Sequence, residues 1–239
     1  YALGDAHLAY LRLARGFRAP QATELYRLQA GQRVADLDPE ELDNMELGLR
    51  GTLGTKLAYD ASVYYMEKDE VIFQDADRQN VSGASTRHQG LELSLDYRFN
   101  DHWYLGADAS YAQHRYDSHI ALIGSSGDIK GNDIDTAPRH FGSARLGWNF
   151  SDTGLAELEY IYLGSHYLEP DNEHKYGGHE LLNLRVASDF GQHWHATVRV
   201  TNLLDEDYAE RADFGFGQYR YFVGEPRGFY LEVGYRFAR

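Results

Sequence analysis

Apolar residues recur at every second position through most of the chain, the pattern of a β-strand with one apolar and one polar face. In LLNLRVASDF (181–190), apolar side chains occupy positions 182, 184, 186 and 190, and polar ones occupy 183, 185 and 189. Similar alternation recurs in about ten segments, each near the 9–11 residues with which a tilted strand crosses a bilayer. The pattern therefore predicts about ten strands of membrane-spanning length.

The connections between these segments alternate strictly between short and long. Turn residues predict short connections at 51–55, 100–102, 151–154 and 191–192. Long connections are predicted at 15–41, 69–83, 116–137, 165–179 and 204–226. Up-and-down outer-membrane barrels have short periplasmic turns at one rim and long extracellular loops at the other. We therefore predict an all-β fold, an antiparallel up-and-down transmembrane β-barrel, with these long loops outside the cell.

Aromatic residues support a membrane location. All three tryptophans, Trp103, Trp148 and Trp194, flank predicted short turns and lie on the apolar face of their strands. Amphipathic rings in such positions form the girdle of a barrel at the membrane interface. The alternative is that these rings pack in the core of a soluble sheet.

Charged residues occupy the opposite face of the predicted strands. They are Glu46, Arg50, Glu92, Asp96, Arg98, Asp108, Arg145, Glu157, Glu159, Arg185, Arg199, Glu232 and Arg236. Unpaired charges in a dry core cost several kcal/mol each, so this face suits a polar or plugged lumen. A soluble carbohydrate-binding sandwich, another possible fold, would have to expose them on an outer surface.

The composition excludes several classes of protein. The 23 basic and 37 acidic residues give a net charge of −14, which argues against nucleic-acid binding, since phosphate contacts need clustered Lys and Arg. The chain has no cysteine, so a disulfide framework or a thiol nucleophile is excluded. The chain opens at Tyr1 with no basic-then-apolar leader, so we expect it to be part of a longer protein.

Three stretches resemble the C-terminal barrel of TonB-dependent outer-membrane receptors. ARGFRAPQATELYRL (14–28) with DLDPEELDNMELGLRG (36–51) looks like the FRAP box of this family and the box that follows it. VRVTNLLDEDYAE (198–210) is similar to the penultimate strand and its NLLDxxY turn, and GEPRGFYLEVGYRF (224–237) to the final strand. The family usually ends at the final aromatic residue, whereas Ala238 and Arg239 follow Phe237 here.

The resemblance implies a location, partners and a function. Residues 1–239 would form about the last ten strands of a barrel of about 22 strands, without the plug domain and the N-terminal strands. The parent protein would lie in the bacterial outer membrane, in contact with its lipid, and take up a ferric siderophore or another iron complex. Uptake would be coupled to TonB through the missing N-terminal region. Neither catalysis nor a cofactor or resident metal is expected.

Ligand-binding candidates come from the predicted extracellular loops. Arginines suit bidentate capture of anionic groups, and tyrosines suit stacking on a flat aromatic ligand. The candidates are Arg15, Arg18, Tyr26, Arg27, Arg33, Tyr116, Tyr167, Tyr219 and Tyr221. The competing interpretation is that Arg18 and Glu24 form a structural ion pair that braces the first loop.

Three further hypotheses concern specific residues. Haem uptake through a histidine in the first loop is disfavoured, because none lies between Pro20 and Asp38, although His119, His166 and His174 lie in other loops. Haem and cobalamin receptors of the same family stay open as alternatives, as does a ten-stranded outer-membrane protease using Asp117, His119 and Asp133. The acidic residues of 124–136 resemble calcium ligands, but a solvated loop is the favoured interpretation.

Overall fold

The computed structural model describes residues 1–26, 31–75 and 77–237, and nearly all regular structure in them is β-strand. The strands are β1 (His7–Arg18), β2 (Glu40–Leu53), β3 (Leu57–Gln74), β4 (Asn80–Arg98), β5 (Trp103–Tyr116), β6 (His140–Ser151), β7 (Gly154–Leu163), β8 (His166–Tyr167), β9 (Lys175–Tyr176), β10 (His179–Phe190), β11 (Trp194–Thr201), β12 (Ala209–Gly215), β13 (Gln218–Val223) and β14 (Gly228–Tyr235). One short helix, α1 (Ala22–Tyr26), occurs among the described residues. No helix in these ranges is long and apolar enough to cross a membrane.

Ten strands form one antiparallel sheet in the order β1-β2-β3-β4-β5-β6-β7-β10-β11-β14. The remaining four form two separate hairpins, β8–β9 and β12–β13. Each inner strand of the large sheet pairs with the sheet strands that precede and follow it in the chain, which confirms the all-β, up-and-down prediction. Within the described residues β1 and β14 each pair on one side only, so these ten strands form an open sheet.

The strand register separates an apolar face from a charged one. Directly paired residues share a face, and Leu47, Val63 and Leu91 form one apolar row across β2, β3 and β4. These side chains are exposed, as are most others on this face, so no other part of the described structure covers the apolar face. A large exposed apolar face suits contact with lipid. The opposite face carries the predicted lumenal charges, for example Glu157, which accepts a hydrogen bond from the Tyr104 hydroxyl at 2.6 Å.

The tryptophans lie where the aromatic pattern predicts. Trp103 and Trp148 are direct partners across β5 and β6, and their rings stack 5.5 Å apart. Trp194 packs edge-on against Tyr235 of β14, with ring centroids 4.9 Å apart. All of these rings lie on the apolar face beside the short connections, which is the arrangement of an interfacial girdle.

The short connections agree with the prediction, and the long ones differ from it in their internal structure. The predicted loop 69–83 is wrong, because β3 continues to Gln74 and β4 begins at Asn80. Register shifts between Lys68 and Val71, and again before Phe73, break the alternation that marks a strand in the sequence. Connection 116–137 is a loop, whereas 165–179 contains β8–β9 and 204–226 contains β12–β13.

The first predicted loop, 15–41, begins later than expected. β1 continues through Arg18, so the residues Arg-Gly-Phe-Arg belong to the strand. The helix α1 follows Pro20, and β2 begins at Glu40. Five residues of this predicted loop are therefore helical. The tail, Ala238 and Arg239, lies outside the described residues.

Candidate extracellular binding site

An ion cluster closes the first loop at the rim that carries the long connections. Arg18, at the end of β1, donates to both carboxylate oxygens of Glu40 at 2.6 and 2.9 Å. It also donates to both carboxylate oxygens of Glu24 in α1 at 3.0 Å. Lys68 of β3 lies 3.4 Å from Glu40, whose Oε1 also accepts the backbone N–H of Ile72 at 3.0 Å. The FRAP arginine is thus held as the structural ion pair that the competing interpretation describes.

The charge state of this cluster follows from its geometry. The hydrogen bonds from Arg18 lower the pKa of the buried Glu40 carboxyl to about 2, against the opposing effect of burial. The same guanidinium lowers the pKa of Glu24. Both carboxylates are therefore ionised at neutral pH, and they engage the guanidinium of Arg18 on two sides. Arg18 is half-buried and fully engaged before any ligand arrives.

The other candidates of the first loop differ in orientation. Arg15 points to the apolar face and forms a bidentate pair with Asp43 at 2.6 and 2.7 Å. Arg27 lies outside the described residues. Tyr26, at the end of α1, is 81% exposed, and Arg33 is also exposed. In this loop Tyr26 and Arg33 are the described candidates with a side chain open to solvent.

The first loop docks onto the tip of the β3–β4 hairpin. The side chain of Gln32 donates to the backbone carbonyl of Asn80 at 2.8 Å and accepts the Asn80 N–H at 2.9 Å. The Asn80 side chain donates to the carbonyl of Glu24 at 2.8 Å. These bonds, together with the Arg18 cluster, hold α1 above the hairpin. They therefore give Tyr26 a supported position.

Loops 116–137 and 165–179 are joined by hydrogen bonds. The side chain of Asn172 accepts the Asp133 N–H at 2.7 Å and donates to the Asp133 carbonyl at 2.8 Å. Asp171 accepts the Ser126 N–H through both carboxylate oxygens, at 2.7 and 3.0 Å. Ile129 of loop 116–137 is completely buried. The two loops form one packed unit.

The acidic residues of loop 116–137 are used within this unit. Asp133 pairs with Arg139, Asp135 accepts the Tyr116 hydroxyl at 2.8 Å, and Asp128 contacts His119. Burial, and then the charge of Asp135, raises the pKa of Tyr116. Among the described residues no group of three or more His, Cys, Asp or Glu is arranged to hold a metal ion. Asp128, Asp133 and Asp135 therefore each have a partner within the chain.

The hairpin β12–β13 carries an aromatic cluster on one face. Phe214 stacks on His174 with ring centroids 3.5 Å apart, and Tyr219 packs edge-on against both rings. Tyr221 stacks on Tyr219 at 6.1 Å and contacts Tyr176 of β9. Tyr219 and Tyr221 still expose 46% and 52% of their surface. They form a supported aromatic surface, and each offers about half of its area to solvent.

Tyr167 and Tyr116 are less accessible than these rings. Tyr167 of β8 is half-buried, and the ammonium group of Lys175 lies 4.2 Å from its ring centroid. Tyr116 is half-buried and engaged with Asp135. The structure therefore does not gather the eight described candidates into one cluster. It leaves Tyr26 and Arg33 of the first loop exposed, and it provides an aromatic pair, Tyr219 with Tyr221.

Two groups of rim residues were not among the candidates predicted from the sequence. The free face of β12–β13 carries Arg211 beside Phe222, while Arg220 lies over the highly exposed ring of Phe216. On the lumenal face, His88 and His114 are partners across β4 and β5, with their Nδ1 atoms 2.8 Å apart. His88 and His114 lie on the polar parity of their strands, so an extended alternation count would have found them.

The NLLDxxY and GEPRGF motifs interlock beneath the β12–β13 hairpin. Asn202 is 2% exposed, and its side chain bonds backbone groups of Glu206 and Glu225. Asp205 accepts from both the backbone and the guanidinium of Arg227, at 3.1 and 2.9 Å. These motifs, like the FRAP box, therefore anchor loops.

The residues of the protease and haem hypotheses have separate partners. Asp117 pairs with Arg87, His119 with Asp128, and Asp133 with Arg139. Within the described ranges no hydrogen bond or ion pair joins any two of the proposed protease residues. His166 lies against Tyr176, and His174 contacts Glu169 as well as Phe214.

The chain is similar to known proteins in both sequence and structure. A family model described as TonB dependent receptor-like, beta-barrel, matches residues 1–203. The ferric-pyoverdine BN7/BN8 receptor of Pseudomonas putida is 26% identical over 213 residues, which cover 84% of this chain and 23% of that protein.

Two solved structures share the fold. The ferric yersiniabactin uptake receptor of Yersinia pestis superposes with a TM-score of 0.81 at 19% identity, covering 99% of this chain and 36% of that one. The ferric-catecholate import receptor Fiu of E. coli K12 gives a TM-score of 0.79 at 19% identity, covering 99% and 34%. The chain thus spans about a quarter of the curated relative and about a third of each solved receptor.

Proposed function

Because the chain belongs to the TonB-dependent receptor β-barrel family, we propose that it is the C-terminal part of an outer-membrane receptor for a ferric siderophore. The apolar face and its tryptophan girdle would contact outer-membrane lipid. The long connections would face the outside of the cell and bind the ligand.

The observation that carries the ligand class is the similarity to a ferric-pyoverdine receptor over most of the chain. Ferric siderophores surround iron with oxygen donors, often negatively charged and often on flat aromatic rings. Arginines recognise such anionic oxygens, and tyrosines stack on such rings. The exposed Tyr26 and Arg33, with the aromatic surface of Tyr219 and Tyr221, match this chemistry.

Uptake would be coupled to TonB through regions outside this chain. The lumenal charges would then meet a plug domain, which explains a polar face that none of the described residues covers. We expect no catalytic activity, because the rim carboxylates and histidines are engaged in separate structural pairs. Haem and cobalamin receptors of the same family are the alternatives that an experiment has to separate.

The test is ligand binding by the full-length receptor that contains this segment, purified in detergent. We expect saturable binding of one ferric siderophore from a panel that also includes haem and cobalamin. The double variant Tyr26→Ala, Arg33→Gln is expected to bind that siderophore about 10-fold more weakly, since two contacts of about 0.7 kcal/mol each are lost.

The matched control is Arg15→Gln. Arg15 belongs to the same loop region, but it points to the apolar face and is engaged by Asp43. Its replacement is expected to leave the affinity unchanged. Binding of haem or cobalamin alone would refute the siderophore assignment. Equal affinity of the wild-type protein and the double variant would remove the first loop from the binding site.

A further inference from the structure

Two arginines lie side by side on the outward face, where the apolar band ends. Arg87 of β4 and Arg115 of β5 are direct cross-strand partners, so their side chains leave the sheet on the same face. Each side chain is nearly half exposed, at 45% and 46%. Like charges directly opposite each other destabilise a sheet pair. This pair therefore calls for a compensating negative group.

The height of the pair in the membrane follows from β5. Its outward residues are apolar or aromatic from Trp103 to Tyr111, and Gln113 and Arg115 follow. Arg115 is 12 residues beyond Trp103, about 40 Å along a strand and about 30 Å in height at a tilt of about 40°. The apolar band of such a barrel is about 25 Å tall. Arg115 thus lies at the level of the outer-leaflet headgroups.

The protein compensates the two charges only in part. Arg87 pairs with Asp117 at 2.5 Å, while Glu67, its neighbour on β3, accepts the Tyr65 hydroxyl instead. Arg115 approaches one carboxylate, that of Asp133, with Nε at 3.5 Å.

The remaining donors of the site are available to a ligand. Asp133 also forms an ion pair with Arg139, at a distance of 2.6 Å. Within the described part of the chain, the guanidinium of Arg115 makes no hydrogen bond. The donors of this half-exposed guanidinium are therefore free to bind a ligand.

A small cavity lies between the two arginines. Its lining includes Arg87, Gln89, Gln113, Arg115 and Asp117. The amide of Gln89 donates to Gln113, and that of Gln113 donates to the Tyr111 hydroxyl. The two amides therefore form a hydrogen-bonded polar layer next to the tyrosine. Two guanidinium groups beside amide groups supply the kind of donors that recognise phosphate oxygens.

We propose that Arg87 and Arg115 bind a phosphate monoester of an outer-leaflet lipid, the group that diphosphoryl lipid A carries and phosphatidylethanolamine lacks. The height and the outward orientation select a lipid over a soluble anion, because the cavity opens where headgroups lie. The phosphate would bridge the two guanidinium groups and relieve their repulsion. The cavity includes none of Tyr26, Arg33, Tyr219 and Tyr221, so siderophore binding through these residues does not depend on it.

The test uses the full-length receptor in detergent, with native mass spectrometry to count bound lipid. The probes are diphosphoryl lipid A and, as a zwitterionic comparison, phosphatidylethanolamine. The variant is Arg87→Gln, Arg115→Gln, and the matched control is Arg15→Gln, an outward arginine near the same rim that Asp43 already holds in a bidentate pair. We expect the wild-type protein and the control to retain lipid A, and the double variant to retain at least about 10-fold less.

Four results would overturn the proposal. They are equal lipid A retention by the double variant, equal loss in the control, equal retention of phosphatidylethanolamine, and displacement of lipid A by inorganic phosphate at equal concentration.

Siderophore binding by the double variant verifies its fold, and we expect that affinity to be unchanged. If the double variant fails to fold, Arg115→Lys replaces it; this variant keeps the charge but loses the bidentate fork, and it is expected to retain less lipid A than the wild-type protein.

Discussion

Replacing Glu40 with alanine is expected to release the first extracellular loop from the sheet. The substitution leaves Arg18 and Lys68 without their shared carboxylate and the Ile72 N–H without its acceptor. Breaking a buried ion pair costs about 3–5 kcal/mol, and because Arg18 and Lys68 are about one-third exposed we expect about 2–3 kcal/mol here. Hydrogen exchange of the Ile72 amide in the full-length receptor should therefore accelerate about 30- to 150-fold.

The control for this prediction is Glu41→Ala, one residue further along β2 on the opposite face. It is expected to leave the exchange of Ile72 unchanged. The pH dependence is a second measure, because the folded pKa of Glu40 is lowered from 4.5 to about 2. Its stabilisation is complete above pH 4.5 and disappears as the pH falls through about 2. A wild-type protein that exchanges Ile72 as fast as Glu40→Ala at neutral pH would contradict the account.

Replacing Asn202 with alanine is expected to loosen the base of the β12–β13 hairpin. The side chain of Asn202 donates to the carbonyls of Glu206 and Glu225 and accepts the Glu206 N–H. Alanine leaves these groups unpaired and must adopt the positive φ of 48°. The expected cost is about 3–5 kcal/mol, at about 1 kcal/mol or more for each lost partner and about 1 kcal/mol for the backbone. Hydrogen exchange of the Gly224 amide, which donates to Tyr208, measures this.

The substitution Asn202→Gly separates the two causes. Glycine adopts the left-handed backbone without the steric cost but, like alanine, loses all three side-chain hydrogen bonds. The Asn202→Gly variant is therefore expected to lose about 1 kcal/mol less stability than Asn202→Ala. Equal exchange of the Gly224 amide in the alanine variant and the wild-type protein would show that this motif does not hold the hairpin.

The strands of the sheet could be predicted because alternation is a local property. Each strand places its apolar residues on the lipid side, so a period of two marks it without any knowledge of its neighbours. The exception is the outer end of β3 and β4, where bulges after Lys68 shift the pattern. The hairpins β8–β9 and β12–β13 were not predicted from the sequence, for a related reason. Their strands are short and packed mainly against each other, so no lipid-facing row marks them.

The site was only partly predictable from the sequence. Arginine and tyrosine in the loops were identified by residue type, but their partners lie far along the chain, as Glu40 lies from Arg18. The outward direction of Arg15 could have been predicted, because Arg15 lies two positions from Leu13 and from Phe17 and so shares their exposed face. The family motifs resembled a binding region, and in the structure their arginine and asparagine are loop anchors.

The most direct test of the central claim is uptake of radiolabelled iron by iron-starved cells that express the full-length receptor. We predict saturable uptake of iron from one ferric siderophore, which is lost when the receptor is deleted and also when TonB is deleted. Uptake that is the same with and without the receptor for every ferric siderophore supplied would contradict the account.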